Sequence, residues 1–319
     1  MMNDWYDVFL EALYSKYPKK SQLTEVLMDL LSIERESVYR RLRKEIIFPA
    51  HELCKIASVW NISLDELIGF NSEKVLFHMQ PVNFLDPSEE DIKFVRRRVN
   101  RFEQLKDYPN SEYIVITNHM SRALSACYAN LYRFNLVKWA FLYAKEEHRL
   151  SYSQTIVPKK LLEEVVAYCR CMKDVGNTCY ILDSAIFENI VNDIRFFHSI
   201  FIVNDEEKEL IKQDLYALLD YLLEIANTGC FPETQNKVQI FVSLLNINTN
   251  YSYLFNGIKE SAHIHAFNLY DNICYNPKVI EELKAWMNRT KKISVQISEA
   301  DERGRIEFFR KQREVIDTL

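Results

Sequence analysis

The sequence predicts a mainly α protein: an N-terminal five-helix domain, followed by a larger helix-rich α+β domain with a small sheet late in the chain. Three observations lead to this fold class. The 319 residues exceed what one ordinary hydrophobic core needs, which favours two domains. Apolar residues recur at helical spacing as far as residue 228. Beyond Pro232, alternating runs typical of strands appear. We expect domains at 1–72 and 88–319, with a linker at 73–87.

Five short helices are predicted in the first 70 residues, because apolar residues at spacings of three and four alternate with turn and capping signals. Ser21 is the candidate N-cap of the second helix, and the third helix spans about residues 35–43. The other bounding signals, in chain order, are Pro18, the break Ser32-Ile33, Pro49, the turn Asn61-Ile62, the capping box Ser63–Glu66 and Gly69.

The second domain is predicted to be helical first and to contain its strands last. Residues 71–87 indicate a linker or an isolated strand, and Tyr113–Ala144 indicates a helix, although 113–116 is also compatible with a strand. The other helices are expected at about 89–106, 159–174, 184–200, 205–228, 277–288 and 301–316, and the strands at 238–242, 262–267 and 293–297.

The scarcity of glycine excludes several classes of enzyme. Only 5 glycines occur, and no two are close together in the sequence. Gly-rich phosphate loops, the dinucleotide-binding fingerprint and the Gly-x-Ser-x-Gly elbow each need several closely spaced glycines. The commonest nucleotide-dependent enzyme classes are therefore disfavoured.

Charge, cysteine content and the chain start predict a cytoplasmic protein with no membrane partner. The net charge of −5 gives no basic footprint over the whole chain. The 7 cysteines include no Cys-x-x-Cys pair, which favours free thiols in a reducing compartment. The first residues carry an acid and no basic region, unlike a signal peptide. The longest uncharged run, 238–258, is too rich in Asn, Ser and Thr for a membrane span.

The third helix has one apolar and one basic face. Val38 and Leu42 are four residues apart and are expected to point into the core. Between Arg35 and Lys44, five basic residues and one acid give a local charge of +4. Such a composition is typical of a helix that lies in the DNA major groove. The residues expected on the outer face are Arg35, Glu36, Tyr39, Arg40 and Arg43.

Residues 21–68, about 50 of 319, resemble the helix-turn-helix domain of the phage-repressor family, of Cro or Xre type. The match is best over 53–67, whose sequence LCKIASVWNISLDEL is similar to the family's LLKLADALGVSLDEL run. The polar stretch Glu34–Ser37, followed by apolar Val38 and basic Arg40, also resembles the family's recognition helix.

The resemblance implies that double-stranded DNA is the partner. It implies base contacts from Arg35, Glu36 and Tyr39, and phosphate contacts from Arg40 with Thr24 or Ser21. Ser37 belongs to the polar stretch that faces the groove. Charge alone adds Arg41, Arg43 and Lys44 to the candidate DNA contacts. Three positions depart from the family: Ser32 stands for the usual turn glycine, Met28 for a small alanine, and Lys44-Glu45 for the glycine that often follows the recognition helix.

These features predict a sequence-specific transcriptional regulator of bacterial type, cytoplasmic and homodimeric. The second domain is expected to supply dimerisation or the sensing of a small-molecule or protein effector, and no cofactor is expected. An alternative is a degenerate helix-turn-helix in an interaction scaffold or antitoxin-like protein. Residues 1–75 contain 10 basic and 12 acidic residues, which is compatible with that alternative. A third interpretation is an enzyme with a DNA-binding head.

Other clusters carry weaker signals. The most basic stretch, 93–102, indicates an extended DNA footprint, a solvated helix face or a surface for an acidic partner. His263 and His265 share one face of a predicted strand, but no zinc-ligand spacing accompanies them. No nucleophile and base stand at a recognisable spacing, so neither an enzyme nor a metal site is predicted. Cys169 and Cys171 are two residues apart on a predicted helix, do not share a face and are expected to be packing residues. The carboxylates of Glu146–His148 and Glu281-Glu282 are expected to face solvent.

Overall fold

The computed structural model describes residues 5–60, 62–64, 75, 77–79, 82–83, 86–143, 150–248, 250–266 and 270–319. The chain divides into two compact units, Met1–Leu76 and Phe77–Leu319. The division falls inside the segment 73–87 that the sequence indicated as a linker.

The N-terminal unit consists of short helices around one apolar core. Its described helices are α1 (Trp5–Lys16), α2 (Lys20–Leu31), α3 (Arg35–Leu42) and α4 (Ala50–Trp60). The predicted fifth helix falls largely on residues 65–69, outside the described residues. All four helices contribute to the core, because each has an apolar stripe at helical spacing. The buried side chains include Tyr6, Phe9, Leu13, Leu23, Leu27, Val38, Leu42, Phe48, Ile56 and Trp60.

The start of α2 differs from the prediction. The N-cap position is Lys19, which makes no side-chain capping bond, and Ser21 lies inside the first turn. Ser21 therefore does not cap the helix, and its hydroxyl is exposed there. Two lysines, Lys19 and Lys20, begin α2, and its first turn contains no acidic residue.

The C-terminal unit combines eight described α-helices with one sheet. Helix starts follow the sequence signals closely. Ser88 and Asn204 form capping boxes with Asp91 and Glu207, and Asn276 caps the helix that begins at Pro277. The helices are α5 (Glu89–Glu103), α6 (Arg122–Ser125), α7 (Ala129–Tyr143), α8 (Lys159–Cys171), α9 (Ile186–Ser199), α10 (Asp205–Thr228), α11 (Pro277–Lys292) and α12 (Glu302–Asp317).

The sheet is larger than the small one expected, with seven described strands in the order β6-β5-β4-β1-β2-β3-β7. The central pairs β1–β2 and β2–β3 are parallel, and every other pair is antiparallel. Parallel pairs need long crossover connections, and the helical segments between β1, β2 and β3 supply them. The strands are β1 (Glu112–Thr117), β2 (Asn177–Leu182), β3 (Lys237–Ser243), β4 (Tyr251–Phe255), β5 (Glu260–Ala266), β6 (Tyr270–Cys274) and β7 (Ser294–Gln296).

Four of these strands correct the sequence prediction. Residues 112–117 form a strand, so the helix expected over 113–144 begins only at Ala129. Strands β2, β4 and β6 were not predicted at all. Strands β1 and β2 are buried along almost their whole length. Such short apolar runs have no alternation that distinguishes a buried strand from a buried helix.

Helices cover both faces of the sheet. Tyr113 and Val115 of β1 face a core that also contains apolar residues of α7, α9, α10 and α12. On the other face, α11 contacts β3, β4, β5 and β7. The segment before α5 is attached to this unit, because His78 forms a β-bridge with Ile273 of β6. Among the helices that the structure describes, none combines the length and apolar character needed to cross a membrane.

Candidate nucleic-acid interface

A three-residue turn joins α2 to α3. Ser32 ends α2 in the left-handed conformation, with φ 56° and ψ 45°, and Glu34 precedes α3 in an extended conformation. Val38 and Leu42 are 0% and 6% exposed and share the core with Leu23 and Leu27 of α2. The prediction that these two residues of α3 point inward is confirmed. The two helices are thus joined by a short turn and packed together through their apolar faces.

Two of the residues that depart from the phage-repressor pattern adopt backbone conformations that favour glycine. Ser32 has φ 56° and Lys44, which follows α3, has φ 64°. Glycine adopts positive φ without steric cost, whereas other residues are strained there. The backbone therefore turns at both positions as it would around glycine. Met28, the third departure, is half-buried against the core.

The outward face of α3 carries most of the predicted DNA contacts. Arg35, Glu36 and Arg40 are exposed, and Arg43 is exposed at the C-cap. Ser37 and Tyr39 are half-buried on the same helix. The helix therefore presents polar and basic groups on one side and buries Val38 and Leu42 on the other, as its spacing predicts.

Each exposed basic side chain of α3 and its C-terminal turn lies near a carboxylate of the same unit. Arg35 pairs with Glu25 at 3.9 Å, Arg40 with Glu45 at 3.5 Å, and Lys44 with Asp7. Arg43 contacts both Glu45 and Glu36, at 2.7 and 2.8 Å, and these carboxylates raise the pKa of its guanidinium. Ion pairs this exposed contribute little to stability, so phosphate oxygens can replace the carboxylates.

Arg41 is a structural residue, which corrects its assignment as a DNA contact. Its guanidinium forms a two-bond ion pair with Glu52 of α4, at 2.6 and 2.8 Å, and also donates to the Ser37 carbonyl. The two side chains are only 12% and 7% exposed. Arg41 also lies over the ring of Phe48. Its side chain therefore links α3 to α4 beneath the exposed face of α3.

The assignment of Thr24 as a phosphate contact is also corrected. It is fully buried, and its hydroxyl donates to the Lys20 carbonyl one turn earlier in α2. A phosphate cannot reach it there. Ser21 is exposed in the first turn of α2, beside Lys19 and Lys20. Neither lysine has a carboxylate within ion-pair distance among the described residues.

The lysines at the start of α2 were missed as candidate contacts by the sequence analysis. The positive end of the helix dipole and the free backbone N–H groups of a first turn favour phosphate binding. The signal was present in the sequence, because Lys19 and Lys20 directly precede Ser21. A helix that begins at Ser21 leaves both lysines outside its first turn, so the sequence does not predict them as phosphate contacts.

No known protein family, curated protein or solved structure matches this chain. The resemblance to phage repressors therefore rests on the sequence of residues 21–68 alone.

The other basic stretch, 93–102, lies on α5, and its described charges are engaged within its own unit. Arg96 pairs with the buried Glu164 at 2.8 Å, and Arg98 lies over the ring of Tyr168. Lys93 pairs with Glu90 along the helix. These contacts favour a role in packing α5 against α8 over an extended DNA footprint.

The remaining clusters show no catalytic or metal-binding arrangement in the described part of the chain. His263 is buried and hydrogen-bonded to the Ser261 hydroxyl. No group of three potential metal ligands is present among the described residues. Glu281 and Glu282 are exposed on α11, and 146–148 lies outside the described residues.

Proposed function

We propose that the N-terminal unit binds duplex DNA through α2 and α3, and that the protein is a sequence-specific transcriptional regulator. One observation carries this proposal. A helix with two buried apolar residues, Val38 and Leu42, presents a basic outer face after a three-residue turn that begins with the left-handed Ser32. This arrangement matches the recognition helix of helix-turn-helix proteins, which enters the major groove.

The contacts divide into base readers and phosphate binders. Arg35, Glu36 and Tyr39 lie in the N-terminal part of α3, which approaches base edges in this motif. Arginine reads guanine with two hydrogen bonds, and glutamate accepts a bond from the cytosine amino group. Groups closer to the rim contact phosphates: Ser21, Arg40, Arg43, Lys44 and the two lysines Lys19 and Lys20.

The Glu36–Arg43 ion pair links the two groups of contacts. The pair joins a candidate base reader to a candidate phosphate binder at 2.8 Å. When Arg43 turns to a phosphate, Glu36 loses its partner and needs a donor. A cytosine amino group in the groove supplies that donor, while a thymine carbonyl oxygen in its place repels the carboxylate. The pair thus couples phosphate binding to base selection.

Two copies acting together would raise the affinity that a single small module provides. In helix-turn-helix dimers the half-sites lie about 34–36 Å apart along the duplex. We assign dimerisation, or the sensing of an effector, to the unit Phe77–Leu319. No cofactor is part of this proposal.

One observation favours the alternative of a protein-docking scaffold. The described basic residues of α3 and its C-terminal turn already have acidic partners within the unit, so its local charge is largely balanced. A balanced surface suits a protein partner better than a phosphate backbone. Salt dependence separates the two functions, because phosphate neutralisation releases condensed counterions and protein docking does not.

The test is a titration of duplex DNA enriched by the full-length protein from a random pool, with binding read by fluorescence anisotropy. We expect affinity to fall by a factor of about 3–4 per phosphate contact between 50 and 200 mM salt. Arg35→Ala with Arg40→Ala should abolish selective binding. Arg310→Ala is the control, because Arg310 is an exposed, carboxylate-paired arginine of α12.

An equal loss in the control, or no enrichment of any sequence, contradicts DNA recognition by α3. Sequence-independent binding that survives the double substitution also contradicts it, since the charge responsible would then lie elsewhere.

A further inference from the structure

Two cysteines that are distant in sequence meet beside α6. Cys127 lies in the turn between α6 and α7, and Cys169 lies in the last turn of α8. Their side chains are neighbours, and each thiol changes the pKa of the other. Each sulfur also contacts a carbonyl of α6 at 3.4 Å: Cys169 that of Arg122, and Cys127 that of Leu124. One short helix therefore holds both sulfurs in place.

The two thiols differ in access to solvent. Cys127 is exposed, whereas Cys169 is only 2% exposed within an apolar cluster formed by α7 and α8. A dissolved oxidant can therefore reach the first sulfur, and the second lies directly behind it. This order of access is that of an attacking and a resolving cysteine.

The electrostatic surroundings favour a thiolate at the accessible position. The hydrogen bond from Cys169 and the positive charge of Lys173 lower the pKa of Cys127 to about 7, against the opposing effect of partial burial. Lys173 is held in place by an ion pair with Glu233 at 2.5 Å and by the ring of Tyr221. Donation to Cys127 and burial raise the pKa of Cys169, which stays a thiol.

We propose that Cys127 and Cys169 form a redox site, in which a peroxide oxidises Cys127 and Cys169 then closes a disulfide. The site belongs to the C-terminal unit and does not depend on the DNA-binding proposal. It adds a chemical role to Cys169, whose burial in an apolar cluster agrees with the packing role expected from the sequence.

The reaction balances with hydrogen peroxide as the only oxidant. The Cys127 thiolate attacks one peroxide oxygen, the O–O bond breaks, and the departing hydroxide takes up a proton to become water. The product is a sulfenic acid on Cys127. The Cys169 sulfur then attacks the Cys127 sulfur, the S–O bond breaks, and the Cys169 proton leaves with the hydroxide as a second water. Two thiols lose two electrons in total, and one peroxide gains them.

Other cysteines provide the contrast within the same chain. Burial raises the pKa of Cys171 and of Cys179 to about 11, so both remain protonated at neutral pH. Only thiolates react readily with peroxide. Cys54 is exposed in the N-terminal unit and serves as an accessible reference thiol.

The experiment treats the full-length protein with stoichiometric hydrogen peroxide at pH 7, blocks free thiols, and maps peptides by mass spectrometry without reduction. We expect a Cys127–Cys169 disulfide and an intact mass lower by two hydrogen atoms. Cys169→Ser retains a hydroxyl donor, so Cys127 should still be oxidised but should stop at the sulfenic acid, which dimedone traps. Cys54→Ser should still form the disulfide.

Alkylation kinetics supply a second readout. At pH 7, about half of Cys127 is thiolate, against roughly 3% of a thiol with the ordinary pKa of 8.5. Cys169→Ala removes the hydrogen bond, and we expect alkylation of Cys127 to slow by up to roughly tenfold, whereas Cys169→Ser changes it by less than about twofold. A Cys127 that stays reduced while Cys54 oxidises, or a disulfide between other cysteines, overturns the proposal.

Discussion

Because Ser32 adopts a left-handed conformation, its replacement by glycine is predicted to stabilise the protein. Ser32 joins α2 to α3 with φ 56° and ψ 45°. A residue with a Cβ is strained by about 1–2 kcal/mol in this conformation. Ser32→Gly removes that strain, but glycine adds about 0.5–1 kcal/mol of conformational entropy to the unfolded chain. The balance is a stabilisation of about 0.5–1 kcal/mol, although most substitutions destabilise.

A matched control makes the same substitution in ordinary helical backbone. Ser58 is an exposed residue within α4, where glycine costs about 0.5 kcal/mol relative to serine. The two variants differ only in the backbone conformation at the substituted position. Ser32→Gly and Ser58→Gly should therefore change the stability of the same unit in opposite directions.

Hydrogen exchange followed by mass spectrometry is the assay, because it reads the N-terminal unit separately from the rest of the full-length chain. For Ser32→Gly, amides of α2 and α3 should exchange about 2–5 times more slowly, the ratio that 0.5–1 kcal/mol gives. For Ser58→Gly, exchange should be about twofold faster. Faster exchange in both variants would refute the reasoning, since the strain at residue 32 would then be negligible.

Three further predictions concern the same unit. Arg41→Ala leaves the buried Glu52 carboxylate unpaired and should lower the free energy of unfolding by about 3–5 kcal/mol. Arg41→Met with Glu52→Leu should be close to neutral, and thermal unfolding distinguishes the two variants. Burial raises the pKa of Tyr6 to about 12, so this tyrosine ionises at lower pH in the unfolded chain than in the folded protein. Wild type should therefore lose stability relative to Tyr6→Phe as the pH rises from about 10 to 12. Denaturant titrations at each pH test this. Lys19→Ala with Lys20→Ala should weaken binding to all duplexes alike and lower the slope of log affinity against log salt by about 1–2; equal slopes would contradict phosphate contacts there.

Some of the candidate interface could be predicted from the sequence because its determinants are local. The buried and exposed faces of α3 follow from spacings of three and four residues, and α3 was placed to within a residue. Arg41 and Thr24 could not be assigned in this way. Arg41 is basic like its neighbours, and only the position of α4 brings Glu52 to it. Thr24 is polar, but α2 turns it into the core.

The strands of the sheet also differ in how far their own sequence predicts them. Strands with visible alternation, such as β3 and β5, were expected near their observed positions. Residues 113–116 are apolar on both faces, so their sequence is compatible with a buried helix or a buried strand. Pairing with β2 and β4 decides between them, because these neighbouring strands provide the hydrogen bonds, while helices cover both faces of the sheet.

The sequence by itself determined the helices that have clear caps and apolar stripes, and the basic outer face of α3. These properties depend on residues within a few positions of one another. Only the tertiary structure decided which charges are buried, where the central strands lie and that Cys127 meets Cys169. Those outcomes depend on segments tens of residues apart, and no local spacing encodes the packing that brings them together.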